Sequence, residues 1–322
     1  LTRFSISDFI TCDDDYDGKK LFNLGLKSSE ISASLPADTY TYTYFLTEEN
    51  AFFDTNAIVQ DYENTISPET IYVRVQGSLG CPYIVNFDLV VRDKPQLFVE
   101  ETRRICDGKT IILDAGSGFD TYLWSNGAVT PSITISEAGT YTVTVSYDYG
   151  TLSCTDTKTI VVTESNVATI NNIVINDWTI NNNSITIFAN GIGDYEYSIN
   201  NIDYQDSPVF AELETGVYTI YVRDKFGCGT VNKDFYLLTY PNFFTPNGDG
   251  INDLWQIYYS KSEPNLKVSI FDRYGRLVKT LVGESDGWDG TFSNEKMPST
   301  DYWFVVERVD GKIYKGHFTL IR

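Results

Sequence analysis

Apolar and polar residues alternate along most of this chain. Four stretches repeat the pattern: TIYVRV at 70–75, GTYTVTV at 139–145, GVYTIYVRD at 216–224 and DYWFVVERVDG at 301–311. Each sets a tyrosine and then valine on alternate positions, just before a turn and a last strand. A period of two marks half-buried strands. No long stretch repeats apolar residues at i, i+3, i+4 and i+7, so almost no helix is predicted. The tyrosines Tyr72, Tyr141, Tyr218 and Tyr302 recur at intervals of 69, 77 and 84 residues. Such intervals suit small Greek-key sandwiches, a little below the roughly 100 residues of an immunoglobulin domain. The expected fold is all-β, with four tandem immunoglobulin-like or β-sandwich modules in an elongated array. They span 1–95, 96–163, 164–238 and 239–322, with Pro, Glu-Ser or Tyr-Pro sequences at the joints.

Composition and charge narrow the classes of function. Of 322 residues, 23 are Tyr, 19 Phe and 5 Trp, with one Met and one His. No run approaches the roughly 18 apolar residues of a membrane span. The chain opens at Leu1 without an initiator Met, a basic n-region or an apolar h-region, which suggests a mature fragment of something larger. The formal charge is −20. Residues 239–322 hold 10 basic and 11 acidic side chains, and residues 1–238 the other 14 and 33, a net of −19. That part repels phosphate backbones and anionic lipid, which argues against nucleic acid and for divalent cations.

The first module carries Cys12-Asp13-Asp14-Asp15-Tyr16-Asp17-Gly18. Asp13, Asp15 and Asp17 alternate, and such a turn can aim three carboxylates at a calcium ion. An EF-hand needs Glu at the twelfth loop position, which is Leu24 here, so the alternative is a solvated acidic turn. Cys12, near the first strand, and Cys81, in the last hairpin, are placed to bridge this module. In the second module Trp124 lies between Cys106 and Cys154, and a Trp packed on a Cys106–Cys154 bridge would suit an immunoglobulin-like core. The residue two before Cys154 is Leu152, not the Tyr of a tyrosine corner. Cys228 has no partner in its own module and is expected as a buried thiol. Tyr40, Tyr42 and Tyr44 alternate on one face. They form either a glycan-stacking row or an ordinary cross-strand ladder. Asp114-Ala-Gly-Ser-Gly has no base near its serine and reads as a turn.

The last stretch is the most specific. YPNFFTPNGDGINDLWQI, VSIFDRYGRLVKTL, GWDGTFSN and the closing DYWFVVERVDGKIYKGHFTLIR follow one another from Tyr240 to Arg322. Pro246-Asn247-Gly248-Asp249-Gly250 is a tight turn, and Asp310-Gly311 a hairpin turn. Asn247, Asp249 and Asp253 could supply oxygen ligands to a cation, again calcium; the alternative is a turn held by its own Asx hydrogen bonds. This stretch resembles the type B C-terminal sorting domain of the type IX secretion system of Bacteroidota, the gliding-motility-associated C-terminal domain. The first module resembles a repeat of large Bacteroidota surface proteins. The second resembles polycystic-kidney-disease-like and immunoglobulin-like modules. The third resembles the repeat of SprB-type gliding adhesins.

The resemblance implies export across the outer membrane to the cell surface. It also implies recognition by the translocon and a PorV-type outer-membrane β-barrel shuttle. Recognition is expected at Phe243, Phe244, Thr245 and Pro246 and along the C-terminal strand through Arg322. The expected whole is the C-terminal part of a secreted adhesin in gliding motility or attachment, with the first three modules as a stalk. A surface ligand or polysaccharide is then a further partner. The alternatives are a glycan-binding module, or the end of a secreted enzyme whose catalytic domain lies upstream. Catalysis within these residues is not expected, because no stretch offers a cleft-forming insertion around paired carboxylates.

Overall fold

The computed structural model describes residues 6–78 and 80–322; Leu1 lies outside them. The chain divides into two compact units, residues 1–163 and 164–322. Nearly every element is a strand, and the longest helices, Ser28–Ala33 and Glu48–Phe53, have six residues each. Four hydrophobic clusters form among the described residues, and each draws on the alternating positions of its strands. In Glu69–Gln76, for example, Ile71, Val73 and Val75 are wholly buried while the residues between them are not.

In the first unit, the strand Phe9–Cys12 runs parallel to Tyr83–Arg92, which pairs antiparallel with Glu69–Gln76 and through it with Thr41–Phe45. The same unit holds a second four-stranded sheet, ordered Thr102–Cys106, Ser153–Ser165, Gly139–Asp148 and Thr121–Trp124. It is accompanied by the pair Ile111–Asp114 and Ser132–Ile135. In the second unit, two three-stranded sheets precede a five-stranded one. The five are ordered Phe243–Phe244, Ile313–Leu320, Asp301–Glu307, Lys267–Phe271 and Leu277–Val282.

Three of the four repeated tyrosines share one bond. The hydroxyls of Tyr141, Tyr218 and Tyr302 donate to the carbonyl four residues upstream: Glu137 at 3.0 Å, Glu214 at 2.8 Å and Pro298 at 2.9 Å. This is a tyrosine corner, so the second module has one at Tyr141, not near Cys154. In the first module the equivalent bond is made by Tyr40, to Pro36. Tyr44 is buried and Tyr40 and Tyr42 are half-buried against the same cluster, so this row packs toward the core.

The cysteine pairing differs from the sequence expectation. Cys12 bonds to Cys154, with their Cα atoms 5.6 Å apart. A Cys12–Cys81 bond is excluded by register. Cys12 stands opposite Arg92, at the far end of Tyr83–Arg92 from Cys81. Ten strand residues at about 3.3 Å each put roughly 30 Å between the two, and a disulfide tolerates less than about 7 Å between Cα atoms. Cys81 is the free, exposed cysteine among the described residues. With Cys154 taken by Cys12, the expected Cys106–Cys154 bond falls too. Cys106 and Cys228 are both disulfide-bonded, so Cys228 is not the free thiol expected. Trp124 is buried in its cluster without resting on a Cys106–Cys154 bridge.

Candidate functional site

The C-terminal domain is built around aromatic rings. Phe244, Trp255, Trp288, Tyr302, Phe304 and Phe318 are all fully buried. Trp255 stacks on Phe318 at 3.9 Å between centroids, and the backbones of Trp255 and Trp288 exchange two hydrogen bonds. Both indole N–H groups are satisfied, by the carbonyls of Pro241 and Thr291, as buried Trp requires. Gly316 faces Phe304 across the ladder, and a Cβ there would lie 2.6 Å from its ring, so the position admits only glycine.

The residues expected to be recognised come together on one side of this core. Phe243 and Phe244 pair in parallel with Thr319 and Leu320, and the Ile321 amide donates to the Phe244 carbonyl. The aromatic segment and the chain's end are thus one edge of the sheet. Phe243 is 48% exposed, whereas Phe244 is core and unavailable to a partner. Thr245 donates from its amide to Asn252, closing the loop that carries Pro246. Arg322 is tethered rather than loose. Its amide donates to Ser299 and its guanidinium to the Gly290 carbonyl at 2.9 Å.

The Asn-Gly-Asp-Gly turn is closed by its own hydrogen bonds. Asp253 accepts from the amides of Gly248 and Gly250, both at 2.7 Å, and these bonds pull its carboxyl below the usual range. Asn247 and Asp249 bond to one another. Gly248 and Gly250 hold φ of 84° and 86°, a region that favours glycine. The three oxygen-bearing side chains expected to hold a cation are therefore engaged in shaping the turn.

An ion network missed in the sequence joins this domain to the module before it. Arg308, at the end of Asp301–Glu307, lies between Asp177 at 2.8 Å and Glu263 at 3.1 Å. The side chains are 7%, 4% and 4% exposed. Glu263 also accepts from the Val309 amide, and Asp177 from the Leu238 amide. Burial alone would lower the Arg308 pKa, but the two carboxylates raise it above its ordinary value. Beside the network Trp178 stacks on Tyr314, 4.1 Å between centroids and 6° from parallel. No local pattern marks these residues; only their distant pairing gives them a role.

The acidic loop of the first module lies near the disulfide. Asp13 is buried and accepts from the amides of Asp15, Tyr16 and Gly18. Burial raises its pKa, and these bonds more than offset that, so the carboxyl lies below the usual range. Asp15 and Asp17 are exposed, and one oxygen from each of the three falls within 4.8 Å of the others. Burial and the charge of Asp17 push Asp15 up. The loop opens on a cleft of about 680 Å³ shared with the second module. Tyr16 donates to the Pro95 carbonyl and Tyr149 to that of Asp93, fastening the same joint.

Comparison with known proteins follows this geometry. Residues 8–95 match the Flavobacterium inter-domain disulphide bond domain, in keeping with a Cys12–Cys154 bond that leaves the first module for the second. Residues 238–320 match the CHU_C Type IX secretion signal domain. No curated protein matches the chain. Among solved structures, the chain is similar to immunoglobulin domains 1–5 of Sidekick-1, with 10% identity, 99% of this chain and 79% of that one covered, and a TM-score of 0.31. It is also similar to the N-terminal eight Ig domains of Down Syndrome Cell Adhesion Molecule, with 12% identity, coverage of 89% and 43%, and a TM-score of 0.28. A third is the amphioxus IgVJ-C2 molecule, with 13% identity, coverage of 42% and 98%, and a TM-score of 0.26. Residues 238–320 are a type IX secretion signal domain, and the protein that carries it is exported across the outer membrane to the cell surface or the extracellular space.

Proposed function

We propose that this chain is the C-terminal part of a cell-surface adhesin serving gliding motility or attachment. The secretion signal domain is its address, and the three modules before it are a non-catalytic stalk. The translocon and a PorV-type β-barrel shuttle would read the edge formed by Phe243 and the strand that ends at Arg322. The observation that carries this reading is the parallel ladder of Phe243–Phe244 with Thr319–Leu320. It presents one exposed aromatic side chain and a sheet edge on a rigid aromatic core, and open edges are natural docking sites. The one histidine, His317, faces Trp303 across the sheet, which gives no support to an acid–base site.

The test is a fluorescent passenger fused ahead of residues 164–322 in a bacterium with a type IX system. Passenger at the cell surface is expected for the wild-type fusion, and periplasmic retention for Phe243→Glu. Export of Phe243→Glu at the wild-type level would remove the edge from the reading. A pull-down of the shuttle barrel, with and without residues 239–322, asks separately whether that barrel is the receptor. The stalk is tested by deleting residues 1–163: surface display should persist while adhesion of cells is lost.

A further inference from the structure

In both modules of the first unit, the strand on which the chain enters and the strand on which it leaves are neighbours. Phe9–Cys12 lies in parallel register with Tyr83–Arg92, from Phe9 beside Leu89 to Cys12 beside Arg92. In the second module Thr102–Cys106 lies next to Ser153–Ser165. Pulling on the two ends of such a module draws one strand away from its neighbour, so the load falls on the hydrogen bonds between them. Parting them would open the cores as well. Leu89 belongs to one cluster and Ile160 and Val162 to the other, and all three sit on these strands.

The Cys12–Cys154 bond changes that route. It joins the last residue of Phe9–Cys12 to the second residue of Ser153–Ser165. A pull arriving at Phe9 runs along the first strand, crosses the two sulfurs and runs on along the other. Each strand is then drawn along its own axis. The ladders between entry and exit strands are no longer in series with the pull. Residues 13–153, which supply most of both hydrophobic clusters, hang off this line as a closed loop. The bond spans a sequence separation of 142. At about 3.3–3.6 Å per extended residue, it keeps roughly 470–510 Å of chain from being drawn out.

We propose that the Cys12–Cys154 bond is a strap that carries tension past the first two modules, so that both stay folded while the chain is under load. This rests on the reading of these modules as a stalk in attachment. A bridge that only stabilised the fold could join any two neighbouring strands. This one sits where the pull would otherwise enter the first module and where it leaves the second.

The test stretches the full chain by its two ends in optical tweezers. Cys106 and Cys228 are also disulfide-bonded, so Cys106→Ser/Cys228→Ser is introduced throughout to leave a single cross-link. The strapped protein is compared with the open form that adds Cys12→Ser/Cys154→Ser. The open form should give unfolding steps from both units. The strapped form should give those of the second unit and end roughly 470–510 Å shorter. Dithiothreitol added to the strapped protein under constant force should release the missing steps, a readout that needs no Cys12 or Cys154 variant. The wild-type chain and its Cys12→Ser/Cys154→Ser variant form a second pair, in which the variant should again draw out longer. Steps of the first unit in the strapped protein overturn the proposal. So does an open form whose first unit stays folded at forces that unfold the second, because the strap then protects nothing. The stalk reading fails separately, if cells lacking residues 1–163 adhere like the wild type, and the stretching result does not depend on it.

Discussion

Replacing Arg308 with Met should be among the most damaging single changes in the second unit. The substitution removes the only cation between Asp177 and Glu263, whose side chains are each 4% exposed. Met fills the space of the aliphatic stem but leaves two buried carboxylates facing one another. Breaking a buried pair in this way costs about 3–5 kcal/mol. For a unit of this size each kcal/mol lowers the melting temperature by roughly 2–4 °C, so a drop of about 6–20 °C is expected. The triple change Arg308→Met/Asp177→Leu/Glu263→Leu should recover most of it, because apolar replacement of a whole buried network is often neutral or better. The pH dependence has a definite sign. Burial already pushes the Asp177 carboxyl above its usual value, against the pull of Arg308 and the Leu238 amide. Without Arg308 it rises further. A carboxyl raised on folding penalises the folded state above the unfolded pKa, near 4. The variant's deficit should therefore be largest at pH 7 and shrink as the pH falls toward 5. Differential scanning calorimetry of the full chain, read at its second-unit transition, measures both. A melting temperature within 2 °C of wild type at pH 7, or a deficit that grows on acidification, would refute a dry, charged network.

Other outcomes follow from the same structure. Tyr141→Phe and Tyr218→Phe each delete one tyrosine-corner hydrogen bond and should cost about 0.5–1.5 kcal/mol in denaturant melts; Tyr72→Phe, whose hydroxyl makes no such bond, should cost less. Iodoacetamide on the native, unreduced chain should add one label, at Cys81; peptide mapping that finds Cys12 or Cys154 labelled contradicts the bridge. For the acidic loop, calcium should raise the melting temperature of the first unit, and Asp15→Asn/Asp17→Asn should abolish that rise. An equal rise in the variant moves calcium elsewhere.

Much of the fold was legible because its signal is local. Alternation of buried and open positions, as in Ile71, Val73 and Val75, is written into every long strand. The tight turns at Gly248 and Gly250, at Gly275 and at Gly311 announced themselves by residue type. The tyrosine repeat was legible as a period, and its physical basis, a hydroxyl bonded four residues back, explains why it recurs. What failed was pairing at a distance. Cys12 and Cys81 lie in one module, and proximity in sequence favoured joining them. Strand register then put them at opposite ends of Tyr83–Arg92. The tyrosine row at 40–44 stayed open between a ladder and a glycan row for a related reason: alternation shows that three rings share a face, but not whether that face is covered. Here Tyr44 is buried, while Tyr40 and Tyr42 are half-buried against the same cluster.

The joints between modules were the least legible part, and they are where this chain departs from a string of beads. A short linker such as Tyr240-Pro241 leaves domains free to move unless something spends burial on the contact. Here the second unit buries three charges and sets a half-buried stacked pair of rings, Trp178 on Tyr314, at its joint, and the first unit crosses its joint with a disulfide and the Tyr149 hydroxyl. The Cys12–Cys154 bond, the Tyr149–Asp93 and Arg308–Asp177 contacts and the Trp178–Tyr314 stack each take one partner from each module, so neither partner is explained by the strand it sits on. Asp177 and Trp178 in a turn read as ordinary loop residues, and Arg308 reads as an ordinary charge at a strand end. The export signal is thereby fastened to the module ahead of it. A machine that grips residues 238–320 also grips the neighbouring module through Arg308. A signal cut at residue 239 would keep Arg308 and Glu263 but lose Asp177, so excision should weaken the domain by a network partner as well as by length.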